Sequence, residues 1–365
     1  MLKTPYSQNI LLCIFFLSGL GLIQVYSSSY IFATENYNNG LYFFNRQLIF
    51  TLIGFFLFFV LSYIPWRFNR YLGLILWFFS VMTLMLTLIP KIGVSVSGSS
   101  RWLQLPLGFR FQPSELLKVT TPFIIAYLVV LKETWPLQKI LFWMIPCFAL
   151  GFPMLILILQ PDFGTIVLLF LLSGSIFFVL GLQWRYVVLI GLSVSALFYG
   201  LIKSQPYRFA RWEAFLNPWQ DPTGKGFQVI QSLLGIHSGG LFGTGIGKGQ
   251  SKLFFLPEAH TDFTLSVLGE EMGFLGLFIL FLVYGVLVFT GFKVVLKIYD
   301  EYQKILAFGL VFIFSASVVI HSAVNLGLVP TKGLVLPFLS YGGSSLVCTF
   351  LLFGWLMSLE RDNQI

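Results

Sequence analysis

Long apolar runs recur along this chain, and they constrain its fold more than any other feature. They occupy residues 10–30, 47–65, 71–90, 113–131, 139–159, 163–183, 186–203, 263–291, 305–326 and 341–359. A helix needs about 20 mostly apolar residues to cross the hydrocarbon core of a bilayer. Only 10% of the 365 residues are charged, against about 25% in a soluble domain. The sequence therefore predicts an all-α, polytopic integral membrane protein with about ten transmembrane helices.

The first run follows Lys3, as the apolar core of a signal peptide would. It is long enough to span, has no clear small-x-small cleavage site and precedes many more spans, so we interpret it as the first transmembrane helix. The three cysteines, Cys13, Cys147 and Cys348, all lie inside apolar runs. This placement predicts neither a disulfide framework nor a metal site.

The arrangement of basic residues predicts the topology. In the short loops they favour a cytoplasmic N-terminus, and an even number of spans then returns the C-terminus to the cytoplasm. The longest polar segment, 204–262, becomes a large extracytoplasmic loop between the seventh and eighth helices. Segments 98–118, 160–165 and 330–345 fall on the same outer face. Residues 1–365 are predicted to form a single transmembrane domain that contains this loop.

Positive charges collect on that outer face. The formal net charge is +8, and the outer cations include Arg101, Arg110, Lys118 and Lys332. Some of them could be interfacial charges beside an aromatic belt. Several cations on one face also suit a diphosphate held by charge-assisted hydrogen bonds. Nucleic acid is not an expected partner, because the basic residues lie in loops between spans, where they orient the chain or contact anionic lipid or substrate.

Asp262 closes the long loop in the stretch Leu256-Pro-Glu-Ala-His-Thr-Asp-Phe263, directly before the eighth run. As a helix cap, its carboxylate would suit the positive end of the helix dipole. As a general base, it would accept the proton of a hydroxyl nucleophile. The two roles are compatible, because a capping position also fixes the carboxylate. Its helical face continues as a stripe of small residues that another helix or a substrate tail could approach closely: Ser266, Gly269, Gly273 and Gly276.

Two acidic residues lie further along the same apolar run. Glu270 and Glu271 are expected to be paired or protonated, because a charge at bilayer depth costs about 2.5–3.5 kcal/mol.

The glycine run at 239–249 fails the P-loop pattern, since Gly249 follows Lys248 where Ser or Thr is required. We interpret the run as a flexible loop whose backbone can approach a membrane or substrate closely, and we expect no nucleotide.

The sequence leaves open one kind of metal site, in which the ion is shared between the protein and the substrate. His237, His260 and His321 show no paired ligand spacing, so a cage made of protein ligands alone is not expected. No cofactor is required by the sequence. Mg²⁺ or Mn²⁺ shared between Asp262 and substrate phosphates stays open, because such ions use few protein ligands.

Several motifs follow one another along nearly the whole chain: Arg101-Trp102, Phe111-Gln-Pro-Ser-Glu115, Gln160-Pro-Asp-Phe-Gly-Thr165, Ser238-Gly-Gly-Leu-Phe-Gly243, Leu256-Pro-Glu-Ala-His-Thr-Asp-Phe263 and Leu336-Pro-Phe-Leu-Ser-Tyr-Gly-Gly-Ser-Ser345. In this order they resemble the SEDS family (shape, elongation, division and sporulation) of FtsW/RodA peptidoglycan glycosyltransferases. Pro257-Glu-Ala-His260 and Gly269-Glu-Glu271 look more like the cell-division branch, FtsW, than like RodA.

The resemblance implies a reaction and a set of site residues. Lipid II, a disaccharide-pentapeptide on undecaprenyl diphosphate, would be polymerised into β-1,4 glycan strands at the outer face of the membrane for septal wall synthesis. The transfer would invert, with Asp262 as the catalytic general base. Together with their position on the outer face, the resemblance predicts these substrate-binding residues: Arg101, Arg110, Glu115, Lys118, His260, Lys332, Ser340 and Ser344.

The same resemblance implies partners and a location. The expected partners are a class B penicillin-binding transpeptidase and other division proteins, and the expected location is the bacterial inner membrane at the division septum, with both termini cytoplasmic. Three alternatives stay open. The chain could be a lipid II flippase, which Glu270 and Glu271 inside a span would suit, a RodA-type elongation polymerase that sets cell shape, or a scaffold that only recruits a transpeptidase.

Overall fold

The computed structural model describes residues 4–96, 99–134, 139–203, 212–213, 215–224, 226–331 and 333–363. Of the predicted site residues, Lys332 lies outside these ranges.

A long helix forms at every predicted span. These helices are α1 (Pro5–Tyr37), α2 (Tyr42–Tyr63), α3 (Trp66–Leu86), α4 (Pro113–Thr134), α5 (Lys139–Leu159), α6 (Phe163–Val179), α7 (Trp184–Lys203), α9 (Thr264–Lys297), α10 (Glu301–Asn325) and α11 (Gly343–Asp362). Within the described residues, 7 helices are long and apolar enough to cross a membrane, namely α1 to α4 and α9 to α11. Helices α5, α6 and α7 contribute shorter apolar stretches. The predicted polytopic helical membrane fold is confirmed.

Local sequence explains where several helices begin and end. The Thr4 side chain accepts a hydrogen bond from the Ser7 N–H, and Pro5 occupies the first turn of α1. The same helix ends at Asn38 in the left-handed region, which Asn tolerates better than most residues. Asp300 caps α10 by accepting from the Gln303 N–H at 2.8 Å.

The two ends of the chain meet. The Thr4 hydroxyl donates a hydrogen bond to the Glu360 carboxylate, and the Lys297 ammonium lies 4.5 Å from the centroid of the Tyr6 ring. The first and last helices therefore place both termini at the same end of the bundle, as an even number of spans requires. Helix α11 packs against α2, α4 and α10, with Trp355 and Phe350 fully buried.

The first outer segment departs from the all-α prediction. It folds into a small antiparallel sheet of three strands, β1 (Gly93–Val96), β2 (Ser99–Gln104) and β3 (Arg110–Phe111), with β2 in the middle. Strands this short are invisible to a search for membrane-length apolar runs. The sheet matters for the site, because it fixes Arg101 on its central strand.

The long outer loop is also folded. It contains a helix, α8 (Phe227–Ser238), a 3₁₀ turn at Pro218–Gln220 and a π-helical turn at Ser251–Phe255. Helix α8 packs along α9. Helix α8 and the π-helical turn therefore lie against the transmembrane bundle.

Helix α9 is broken at Gly273, whose φ of 67° and ψ of −169° are not helical. The carbonyl of Thr264 accepts from Gln24 at 3.4 Å, and the Glu271 carboxylate accepts from Ser27 at 2.7 Å. About 10 Å of helix separates Thr264 from Glu271, but both contact a single turn of α1. The first segment of α9 is therefore bonded to α1 at both of its ends.

Candidate active site

The outer segments predicted to share one face do meet. The Arg101 side chain in segment 98–118 donates to the carbonyls of Gln160 and Pro161 at 3.3 and 2.5 Å. The Tyr341 N–H in segment 330–345 donates to the carbonyl of His260 at 2.9 Å. Segments that are far apart in sequence therefore form one surface, and the predicted convergence is confirmed.

Asp262 and Arg101 face each other across the backbone of Gly333. A Cβ placed on Gly333 would lie 3.7 Å from Asp262 Oδ2 and 3.8 Å from Arg101 Nη1. Gly333 has a φ of 65°, a conformation that residues with a side chain rarely adopt. Any side chain there would also enter the space that the carboxylate and the guanidinium share. The structure thus brings together the predicted base and one predicted substrate-binding cation.

The guanidinium of Arg101 is held in place by the protein. Besides its two carbonyl partners, its Nη1 lies 3.8 Å from Asp162 Oδ1. Asp162 is buried, caps α6 and accepts from the Ser114 hydroxyl at 3.1 Å. Arg101 is consequently oriented before any substrate arrives. This role of Asp162 was not predicted from the sequence, although its motif lies directly before an apolar run.

The start of α9 shows which side chain caps the helix that follows Asp262. The N-cap residue is Phe263, which makes no capping bond through its side chain. Instead, the amide oxygen of Asn325, from the end of α10, accepts from the N–H and the hydroxyl of Ser266 at 3.2 and 2.9 Å. An N-cap side chain usually binds the N–H at this position. A residue other than Asp262 therefore caps the helix end, and the half-buried Asp262 carboxylate faces Gly333.

Asn325 also anchors the backbone at Asp262. Its amide nitrogen donates to the carbonyls of Asp262 and His321, each at 3.0 Å. The Ser232 hydroxyl of α8 donates to the Asn325 carbonyl at 2.7 Å. The fully buried Asn325 thus ties α8, α9 and α10 together at the candidate base. Asn325 was not predicted from the sequence, although a polar amide inside an apolar run is a placement that favours function.

Glu115 and Lys118 lie inside the bundle. Their side chains form an ion pair at 2.7 Å on α4, with 7% and 6% of each residue exposed. They border a cavity of about 30 Å³ that Val335, Pro337 and Cys348 also line. The segment that places Gly333 beside Asp262 therefore continues to this pair. The structure shows no contact of either residue with Asp262 among the bonds of the described residues, and their role in substrate binding stays a prediction.

Arg110 and the two serines lie on one side of the site. Arg110 is exposed on β3, and its carbonyl accepts from the Ser344 hydroxyl at 3.4 Å. The Ser344 oxygen accepts from the Gln112 N–H at 3.0 Å, which joins β3 to the start of α11. The buried Ser340 hydroxyl accepts from the Leu336 N–H at 2.9 Å. Both serines hold the local backbone, and only the Arg110 side chain is exposed for an anion.

His260 lies in an aromatic cluster. Its ring centroid is 4.7 Å from that of Phe43, 5.5 Å from that of Phe32 and 6.0 Å from that of Tyr341. Burial lowers the pKa of His260 below its usual 6.5, and the charge of Glu258 opposes this shift. The imidazole is therefore neutral at neutral pH, and direct substrate contact by His260 stays a prediction.

Both acidic residues of α9 make polar contacts, and Glu271 forms the predicted ion pair. The Lys252 ammonium lies 2.6 Å from Glu271 Oε1 and 2.9 Å from the Ser27 hydroxyl. The Glu270 carboxylate accepts from the N–H groups of Gln250 and Ser251 at 2.7 and 3.0 Å. These bonds fasten the end of the long loop to α1 and α9.

The small-residue stripe on α9 packs against protein. A Cβ on Gly239, which follows α8, would collide with the carbonyl of Gly269. Ile236 of α8 lies against the same glycine. The sequence left either another helix or a substrate tail to pack on the stripe, and the structure shows helix α8 and the loop that follows it.

Within the ranges that the structure covers, no group of three or more His, Cys, Asp and Glu side chains could hold a metal ion.

The chain matches known proteins along its full length. Residues 7–365 match the FtsW/RodA/SpoVE family, described as cell cycle proteins. The probable peptidoglycan glycosyltransferase FtsW of Geobacter sulfurreducens is 39% identical over 364 residues, covering 97% of this chain and 95% of the relative. Stage V sporulation protein E of Bacillus subtilis is 37% identical over 366 residues, covering 99% of both chains.

Solved structures with the same fold are also known. A chain from a peptidoglycan synthase complex, described as coordinating polymerization and crosslinking, matches with a TM-score of 0.79 and 29% identity over 100% of this chain and 99% of that one. The crystal structure of the rod shape determining protein RodA of Thermus thermophilus matches with a TM-score of 0.72 and 26% identity, over 100% and 99% of the two chains.

Proposed function

Because this chain belongs to the FtsW/RodA/SpoVE family of cell cycle proteins, we propose that Asp262 is the general base of its glycosyl transfer and that Arg101 binds the leaving diphosphate. The chain is a peptidoglycan glycosyltransferase, a membrane enzyme that polymerises septal peptidoglycan. We further propose lipid II as its substrate and an outward-facing orientation for Asp262.

The proposed donor is lipid II. The 4-hydroxyl of the acceptor's GlcNAc attacks C1 of the donor MurNAc, and a C1–O bond to that hydroxyl forms. The bond from C1 to the diphosphate breaks, and undecaprenyl diphosphate leaves with the electron pair. Attack from the opposite side turns the α-linkage into a β-1,4 linkage. The proton of the attacking hydroxyl goes to the Asp262 carboxylate, as a general base requires.

One observation carries this proposal: the Asp262 carboxylate and the Arg101 guanidinium face the same space across Gly333. A base on one side of that space can take the hydroxyl proton, while a fixed cation on the other side stabilises charge on the departing diphosphate. Charged groups that are already in position need no reorganisation during the reaction. Such preorganised electrostatic stabilisation is usually the largest contribution to the rate enhancement of an enzyme. The exposed Arg110 would add positive charge at the rim. Lys332 lies outside the described residues, and its part in substrate binding rests on the sequence alone.

Any divalent cation would be held here by Asp262 and the phosphates of the substrate. Mg²⁺ is commonly bound by one or two carboxylates together with substrate phosphates and waters. Asp162, the other carboxylate close to Arg101, accepts from Ser114 and Thr165 and is buried.

The membrane orientation follows from the substrate. Lipid II polymerisation takes place on the outer face, so Asp262 would face outward and both termini would face the cytoplasm of the inner membrane, at the septum. A class B transpeptidase is the proposed partner. The similarity to a complex that couples polymerization and crosslinking supports that partner.

A reconstitution assay tests the proposed substrate and the role of Arg101. Purified protein and its transpeptidase are placed in vesicles with fluorescent lipid II, and glycan chains are separated by size. The wild type is expected to make polymer, and Arg101→Ala is expected to make none at a normal yield of folded protein. The control is Arg67→Ala, because Arg67 is an exposed cation at the start of α3.

Two results would count against the proposal. Polymer at the wild-type rate from Arg101→Ala would remove Arg101 from diphosphate binding. Movement of labelled lipid across the vesicle membrane without any polymer would favour a flippase over a polymerase.

A further inference from the structure

The break in α9 frees backbone groups, and the loop after α8 binds them. The carbonyls of Gly240 and Leu241 accept from the N–H groups of Phe274 and Leu275 at 2.8 and 3.1 Å. On the other side of the break, the N–H groups of Thr244 and Gly245 donate to the carbonyls of Glu270 and Glu271 at 2.9 and 3.0 Å. The loop thus caps both helical segments, so a membrane helix is interrupted with its backbone satisfied.

Close backbone contact fixes this loop at the break. A Cβ on Gly243 would collide with the carbonyl of Glu271, and a Cβ on Gly273 would collide with the N–H group of Gly243. The glycine run was predicted to be a flexible loop whose backbone approaches a membrane or substrate; in the structure its backbone approaches α9. These glycines allow the loop to pack directly against the helix.

The exposed face of α9 shows how deep the break lies. Exposed apolar side chains begin at Phe274 and end at Leu296, and they are Phe274, Leu275, Phe278, Ile279, Phe281, Leu282, Val286, Phe289 and Leu296. The helix between the first and last of them is about 33 Å long, close to the ~30 Å thickness of the hydrocarbon core. Phe274 therefore marks the edge of the hydrocarbon on the Asp262 side. The loop bonded to Phe274 and Leu275 lies at that edge.

The loop presents apolar side chains at this level. Leu241, Phe242 and Ile246 are 63%, 79% and 58% exposed. Lys248 is exposed beside them, with its stem running along Gly245. Apolar side chains next to a lysine are typical of a segment lying in the membrane interface, where the ammonium reaches lipid phosphates.

We propose that residues 239–249 form a membrane-inserted loop. Leu241, Phe242 and Ile246 enter the acyl region of the leaflet on the Asp262 side, and Lys248 contacts the lipid phosphates. The loop continues from α8, whose Ser232 bonds to Asn325. Insertion therefore fixes the support of Asp262 at a set height relative to the membrane. This inference is independent of the catalytic role of Asp262.

Depth-dependent quenching tests the insertion. Phe242→Cys is labelled with an environment-sensitive fluorophore after Cys13, Cys147 and Cys348 are replaced by alanine, and the chain is reconstituted alone in phospholipid vesicles. Quenchers are iodide in the buffer and lipids with a nitroxide at a shallow or a deep position of the acyl chain. We expect strong quenching by the shallow nitroxide, weaker quenching by the deep one and little by iodide.

Two control sites bracket the result. Gln220→Cys, exposed in the 3₁₀ turn of the same outer loop, should respond to iodide. Phe278→Cys, exposed on α9 below the break, should respond to lipid nitroxides. Ile246→Cys repeats the measurement within the loop. Iodide quenching at Phe242 as strong as at Gln220 would place the loop in water and overturn the proposal. Protection from both kinds of quencher would overturn it too, because protein would then cover these side chains.

Discussion

The side chain of Asn325 makes contacts that together set the position of Asp262. It binds the carbonyl of Asp262 and the N–H and hydroxyl of Ser266. Because these bonds act on the backbone, Asn325 is a positioning residue that does not itself face the space shared with Arg101. A catalytic group displaced by about 1 Å can lose 10²-fold in rate.

Replacing Asn325 by alanine should therefore lower kcat by about 10- to 100-fold, with a smaller effect on KM. Ser322→Ala is the matched control, because it removes a buried side-chain bond on the same helix, to the carbonyl of Val318, that does not reach Asp262. Its kcat should stay near the wild type. Steady-state polymerisation and thermal unfolding of both variants check this. If the two variants lose stability equally and neither loses rate, Asn325 does not position the base.

His260 predicts a pH dependence of stability. Burial holds its pKa in the folded chain below the usual 6.5, so protonation favours the unfolded state. Its contribution is fully present above about pH 6.5 and is lost as the pH falls through that value. Thermal unfolding at about pH 7.5 and about pH 5.5 should show a drop in Tm for the wild type and a smaller drop for His260→Phe. Equal drops for both proteins would contradict the prediction.

At the scale of elements, the break in α9 depends on two glycines. Gly273→Ala places a Cβ against the N–H group of Gly243 and forces a side chain into a positive φ of 67°. Overpacking of this kind costs about 1–3 kcal/mol. We expect a clearly lower Tm. Gly285→Ala on the same helix is the control, because no atom lies within 4 Å of its added Cβ. Indistinguishable Tm values for the two variants would show that the close contact at Gly273 does not matter.

The elements differ in how far the sequence predicts them. The long helices were predictable because the bilayer demands a length and an apolar composition that can be read locally. The break at Gly273 was not, because a glycine leaves the hydropathy of its run unchanged and the loop that caps the break comes from 240–245. The sheet around Arg101 was missed for a related reason. Its strands of 4, 6 and 2 residues are stabilised by pairing with each other.

At the scale of the whole molecule, the sequence proposed candidate site residues but not their arrangement. Family resemblance pointed to Asp262 and Arg101, and only the fold shows that Gly333 lies between them. Asp162 and Asn325 stand out as polar residues beside or inside apolar runs, but the sequence does not show their partners, which lie in other segments. Glu115 and Lys118 were predicted to bind substrate with the outer cations, but their ion pair lies inside the bundle. Glu115 and Lys118 are three residues apart on one helix, and this spacing is the same whether they contact substrate or form a buried ion pair.

The most direct test of the account is the rate of glycan polymerisation by Asp262→Asn. Asparagine keeps the shape of the side chain and removes its ability to accept the proton. With the purified enzyme, its transpeptidase and labelled lipid II, we expect kcat to fall by at least about 100-fold, while binding of lipid II is unchanged. Glu213→Gln, at an exposed acid of the same outer loop, is the control and should keep the wild-type rate. Wild-type kcat from Asp262→Asn would contradict the role of Asp262 as the general base.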